Sequence, residues 1–202
     1  MQIIRHRVNT SIELQLVDRK FGIEMDIRSF GDKIVVGHDP DDSDGENFND
    51  WLDGFDHGTL VVNVKEEGIE TKAISMIEHA GITNYFLLDQ SFPFLVKSLN
   101  LGFTKTSARF SDYESATTIQ SIMELAPVAP DWVWVDCFTG DWSHLRHLES
   151  IKEFGLKICL VSPELHGREP NDEIRKIQAY LSKNELDAVC TKFPNLWEQI
   201  HD

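Results

Sequence analysis

In the run Phe21-Gly22-Ile23-Glu24-Met25-Asp26-Ile27, two carboxylates alternate with large apolar residues. On an extended strand this spacing turns Glu24 and Asp26 to one face and Ile23, Met25 and Ile27 to the other. Burying one carboxylate beside another is costly unless a cation, a proton or a basic group compensates. A bound divalent metal is one natural compensator, and a solvated edge strand is the plain alternative. His6-Arg7 and His38-Asp39 each close a short apolar run. Because histidine titrates near neutral pH, one imidazole can take a proton from an attacking oxygen while another delivers one to a leaving oxygen. Arg7 adds a rigid fork of donors suited to phosphate. A single histidine is more often structural than catalytic, so the weight rests on the joint spacing.

These residues need a scaffold that brings strand ends together. Short apolar runs alternate with amphipathic stretches, the pattern of repeated βα units with a parallel sheet. Eight strands are predicted, over Ile3 to His6, Gly22 to Ile27, Leu60 to Val64, Tyr85 to Leu88, Thr106 to Phe110, Trp132 to Asp136, Lys157 to Val161 and Ala188 to Thr191. Helices are predicted over Ser11 to Lys20, Ile69 to Ala80, Phe92 to Asn100, Tyr113 to Leu125, Trp142 to Phe154, Asn171 to Asn184 and Pro194 to Ile200, with Gly81 and Gly155 as stops. This alternation fits a compact (β/α)8 TIM-type barrel, with a doubly wound sheet as the alternative. In such a barrel the active site lies at the carboxyl ends of the strands, where His6, Glu24, Asp26 and His38 would share one rim. Gly31-Asp32 turns the chain into a short hairpin strand, Lys33 to Gly37, and an acidic stretch follows from Asp39 to Glu46. That stretch lacks the glutamate order of a calcium-binding loop and reads as a solvated loop.

Composition bounds the partners. A chain of 202 residues supports one domain with a sizeable core, predicted to span residues 1–202. A formal net charge of -15 opposes nucleic acid or an anionic membrane surface as a partner. No apolar run approaches a membrane span, and no basic segment precedes an apolar one at the start, so a soluble, cytoplasmic protein is expected. Cys137, Cys159 and Cys190 are odd in number and lack a CxxC spacing, so they are expected to be reduced thiols in or near the core. Trp132, Trp134, Trp142 and Trp197 are expected to pack between strands and helices.

The ordered set His6-Arg7, Asn9-Thr10, Ile23-Glu24-Met25-Asp26-Ile27 and Ile34-Val35-Val36-Gly37-His38-Asp39 resembles the signature of glycerophosphodiester phosphodiesterases and their phospholipase-like relatives. Val61-Val62-Asn63-Val64-Lys65 resembles the family's third strand, and Asp187 to Pro194 its closing strand and turn. The resemblance implies metal-assisted cleavage of a small phosphodiester, with His6 and His38 as the acid–base pair. It further implies Glu24, Asp26 and Asn63 as positions around magnesium or calcium, and Arg7 and Lys65 as holders of the phosphoryl oxygens.

Three features depart from the family pattern. Asn63 stands where the family has a carboxylate, and an amide oxygen ligates without adding charge, so weaker metal binding is expected. Asp89 or Asp136 are candidates to restore that charge. The segment between His6-Arg7 and Asn9-Thr10 is short, and the loop after His38 has no room for a large inserted subdomain. A barrel that keeps a phosphate ligand without turnover is therefore the rival reading, and fold alone cannot choose between the two. Asp89, Arg109, Asp136, Glu164 and His166 fall near later strand ends and are ordinary loop or capping residues on prior grounds. Cys137, without an assignable basic partner, is a poor nucleophile.

Overall fold

The computed structural model describes residues 1–40, 45–181 and 186–198. Its residues fall into two compact units, Arg5–Leu95 and Met1–Ile4 with Val96–Asp202. Both are α/β, with ladders that are parallel apart from one hairpin extension.

In the first unit the central strand is β2 (Gly22–Phe30), which follows β1 (Gln2–Arg5) and α1 (Ser11–Leu16). Strand β2 pairs in parallel with β5 (Leu60–Val64), which in turn pairs with β6 (Tyr85–Leu88). On its other side it pairs antiparallel with β3 (Lys33–Val36), which carries the two-residue β4 (Glu46–Asn47). Register places Asp26 opposite Asn63 and Ile27 opposite both Val36 and Val64. The hairpin turns on Gly31 at φ 58, the left-handed conformation that a tight two-residue turn asks of glycine. Helices α2 (Phe48–Asp53) and α3 (Glu70–His79) complete this unit, with Phe48, Trp51 and Ile77 fully buried.

Both faces of β2 are buried from Gly22 to Ile27, the condition that makes its two acids expensive. Helix α1 stops at Leu16, four residues short of the expected Lys20. Asp18 is the cause: its carboxylate accepts from Lys20 N at 3.0 Å and its carbonyl from Phe21 N at 3.0 Å, closing a turn in place of another helical one. At the other end Thr10 and Glu13 form a reciprocal capping box.

Helix α4 (Phe92–Asn100) leads into the second unit, where β7 (Ser107–Phe110), β8 (Trp132–Val135), β9 (Lys157–Val161) and β10 (Ala188–Thr191) pair in parallel in that order. Helix α5 (Ala116–Leu125) begins three residues later than expected, because the Ser111 hydroxyl accepts from Tyr113 N and Glu114 N and Ser115 then caps the helix. The stretch expected as one helix from Trp142 is a 3-10 turn over Trp142–His147 followed by α6 (Leu148–Lys152). Helix α7 (Pro170–Gln178) covers the first part of its expected span, and residues 182–184 of that span lie outside the described residues. Likewise α8 (Pro194–Glu198) is described while 199–200 are not, nor are 41–44 of the acidic loop. The four tryptophans of this unit are buried, and two of them satisfy their indole N–H groups, Trp142 on Glu173 and Trp197 on Ser162.

The expected parallel α/β architecture is therefore present, with the ladder open within each unit among the described pairings. No helix among the described residues is long and apolar enough to cross a membrane.

Candidate active site

All seven residues singled out from the sequence belong to the first unit. Strand β2 supplies Glu24 and Asp26, each 1% exposed. The chain leaving β1 supplies His6 and Arg7, β5 supplies Asn63 with Lys65 just beyond its end, and the residues after β3 supply His38.

Glu24 collects three polar partners. Its Oε2 accepts from the backbone N–H of Arg7 at 2.7 Å and lies 3.8 Å from His6 Nε2, while its Oε1 accepts from Asn63 Nδ2 at 3.0 Å. Burial, followed by the charge of Asp26, pushes its carboxyl up to about 7, against the opposing pull of Asn63, the Arg7 N–H and Lys65. Asp26 is clasped twice by Asn9, whose Nδ2 donates to Oδ2 at 2.8 Å and whose Oδ1 accepts from the Asp26 backbone N–H at 2.9 Å. Arg7 Nε lies 3.6 Å from Asp26 Oδ2, and Lys65 Nζ 3.4 Å from Oδ1. The same ammonium lies 3.6 Å from Asp89 Oδ2. Two buried acids are thus faced by two cations and by amide donors, and Asn63 Oδ1 is buried without a hydrogen-bond partner.

Two residues here hold left-handed backbone without being glycine: Arg7 at φ 53 and Asp89 at φ 59. That conformation costs roughly 1–2 kcal/mol for a residue with a Cβ. At Arg7 it is held by two bonds to one residue, Arg7 N to the Glu24 carboxylate and Val8 N to the Glu24 carbonyl at 2.9 Å. Such strain concentrates where a side chain must be aimed.

The second histidine is placed differently from the first. His38 Nδ1 pairs with Asp39 Oδ1 at 2.8 Å, and its carbonyl accepts from Arg28 Nε at 2.8 Å. The preceding residue joins it to β2, Gly37 N donating to the Asp26 carbonyl at 3.0 Å. His38 therefore stands beside the Asp26–Arg28 stretch of β2 with its imidazole oriented by Asp39, whereas His6 Nε2 faces the Glu24 carboxylate at 3.8 Å.

The remaining strand-end residues separate. Asp89 reaches the site through Lys65. Asp136, Arg109 and His166 form a cluster of their own in the second unit, with Arg109 Nη2 2.5 Å and His166 Nε2 3.0 Å from the Asp136 carboxylate. Glu164 accepts from the Thr191 hydroxyl and Lys192 N, tying the turn after β9 to the end of β10. Cys137 is buried and its thiol is pushed up to about 11, chiefly by burial, which removes it as a nucleophile. Asn9 was visible only as part of the Asn9-Thr10 pair; its grip on Asp26 had no sequence signal beyond that pair.

Known proteins enter through shape. A protein assigned as a glycerophosphoryl diester phosphodiesterase from Agrobacterium tumefaciens strain C58 matches at a TM-score of 0.69 and 12% identity, over 100% of this chain and 97% of that one. A glycerophosphodiester phosphodiesterase from the same strain matches at a TM-score of 0.66 and 16% identity, over 98% and 99%. At these identities the likeness is one of fold. No protein-family model and no curated protein sequence matches the chain.

Proposed function

We propose that this chain is a phosphodiester hydrolase on a (β/α)8 barrel, acting on a small organic phosphodiester of the glycerophosphodiester kind. The observation that carries the reading is the buried Glu24–Asp26 pair on β2, faced within one unit by His6, Arg7, Lys65 and Asn63. Two whole-chain fold matches to phosphodiesterases of that kind support it.

In this reading Arg7 and Lys65 hold the phosphoryl oxygens, as their position beside Asp26 allows. One of His6 and His38 takes the proton from the attacking hydroxyl or water as its oxygen bonds to phosphorus. The other gives a proton to the alcohol oxygen as its bond to phosphorus breaks. With Nδ1 engaged by Asp39, His38 keeps Nε2 for that transfer. A magnesium or calcium ion fits the donors in kind: two carboxylates and the unpartnered Asn63 Oδ1 are hard oxygens. Among the described residues no group of three or more His, Cys, Asp or Glu is placed to hold a metal, so the ion would rest on two charges and an amide. Bound there, it would supply neutralisation of charge on the phosphoryl group.

Asn63 is also what favours the rival, a barrel that binds a phosphate ligand without turnover. Alcohol release from a panel of glycerophosphodiesters and a chromogenic diester, with magnesium, calcium or manganese added, separates the two. Turnover is expected, and His6→Ala or His38→Ala is expected to lower it by about two to four orders of magnitude at normal thermal stability. Losing the acid should matter less when the leaving alcohol needs no proton, so the variant that recovers on the chromogenic diester identifies the acid. No turnover with any of the three metals would select the rival.

A further inference from the structure

Lys65 follows the carboxyl end of β5, the middle strand of three, with an acid on either side of it. Register pairs Asn63 of β5 with Asp26 of β2 on one side and with Leu88 of β6 on the other. Lys65 N extends the ladder by donating to the Ile27 carbonyl at 3.1 Å. Residues paired across a sheet share a face, and so do residues two apart on one strand. Asp26, Asn63, Lys65 and Leu88 therefore belong to one face, and Lys65 Nζ lies 3.4 Å from Asp26 Oδ1.

Asp89 does not belong to that face by alternation. It follows Leu88 directly, so a strand continued beyond β6 would turn its side chain to the opposite side. The backbone instead takes the left-handed conformation at Asp89, φ 59, and its Oδ2 comes within 3.6 Å of Lys65 Nζ. Aspartate enters that conformation more readily than most residues with a Cβ, which makes it the acid suited to the position. Among the described residues the ammonium has two ion-pair partners, the enclosed Asp26 and the more exposed Asp89, whose side chains are 1% and 27% accessible. A lysine stem is flexible, and Asp26 alone would draw the ammonium inward. Asp89 holds it toward solvent, the side from which a phosphodiester arrives.

We propose that Asp89 is a positioning residue for Lys65, keeping the ammonium out of a closed pair with Asp26 and presenting it to a phosphoryl oxygen of the substrate. The inference rests on the phosphodiesterase reading for its substrate. Asp89 itself touches neither the substrate nor a transferred proton. It acts against its own charge, since a carboxylate beside a phosphate site repels the anion. The two effects have opposite signs, so removing the charge decides between them.

Asp89→Asn is the variant to test, because asparagine accepts left-handed backbone as aspartate does and only the charge is lost. The readouts are kcat and KM for the chromogenic diester, calorimetric binding of inorganic phosphate, and thermal stability. Positioning predicts a KM raised by about tenfold with kcat within about threefold of the wild type, weaker phosphate binding and unchanged stability. Added to Lys65→Gln, the same substitution is expected to lower kcat/KM no further, since no ammonium is left to place. A KM and a phosphate affinity that are unchanged or improved in Asp89→Asn would overturn the inference, as the signature of a carboxylate that only repels. So would an equal loss of kcat/KM with and without Lys65. If the wild type turns over no diester, the hydrolase reading fails and the phosphate titrations of the wild type and Asp89→Asn decide alone. Weaker binding in the variant would then sustain the inference, and equal or tighter binding, or a wild type that binds no phosphate, would end it.

Discussion

Burial first, and the charge of Asp26 second, weaken the acidity of Glu24, and they do so even with Arg7 and Lys65 beside the pair. Asn63, opposite Asp26, adds no charge of its own. Asn63→Asp would add a third formal negative charge opposite Asp26 and remove the amide N–H given to Glu24. Two outcomes follow with opposite signs. Without metal the variant should be less stable than the wild type by about 1–3 kcal/mol, read by denaturant titration. With magnesium or calcium it should bind the ion more tightly, read by calorimetry, and unchanged or weaker affinity would remove Asn63 from the ligand set. At this scale the sequence was informative where chemistry and periodicity coincide. Alternation alone placed Glu24 and Asp26 on one buried face, and histidines at the ends of two runs fell beside the same strand. It was silent on partners chosen in three dimensions, such as Asn9 on Asp26 or Asp39 on His38, because any short polar side chain in the same loops would have looked equivalent.

Strands were the more legible elements. Those over Leu60–Val64, Tyr85–Leu88, Lys157–Val161 and Ala188–Thr191 lie where their apolar runs predict, since burial on both faces leaves a continuous signal with abrupt ends. Helix ends were less so. Asp18, Ser111 and Ser115 redirect the backbone through local hydrogen bonds that periodicity does not register. The left-handed turn at Arg7 had no signal at all, because arginine does not favour that conformation and only the surrounding bonds impose it. Helix α7 carries its own pH dependence. Burial raises the Glu173 carboxyl, but hydrogen bonds from Lys176 and from the Trp142 indole outweigh it and leave the group below its ordinary range. A lowered folded pKa contributes stability that is present above the unfolded value and is lost as pH falls through the folded one. The stability difference between the wild type and Glu173→Gln should therefore be flat from neutral pH down to about 5 and shrink below it. A difference that grew toward acid pH would contradict this account.

At the scale of the whole molecule, the alternation of strands and helices expected from the sequence is present in each of the two compact units. The cysteines, however, are divided unevenly: Cys137, Cys159 and Cys190 all lie in the second unit, reduced and fully buried, and the first unit has none. The molecule thereby carries a clock for its own opening, since a thiol reagent can react only with a chain whose second unit has come apart. If residues 1–202 unfold as one cooperative body, labelling of the three thiols should follow a single rate constant. That rate should match the loss of far-ultraviolet circular dichroism at every denaturant concentration. Labelling that outruns the optical signal would time the release of the second unit alone, with the site on β2 still folded.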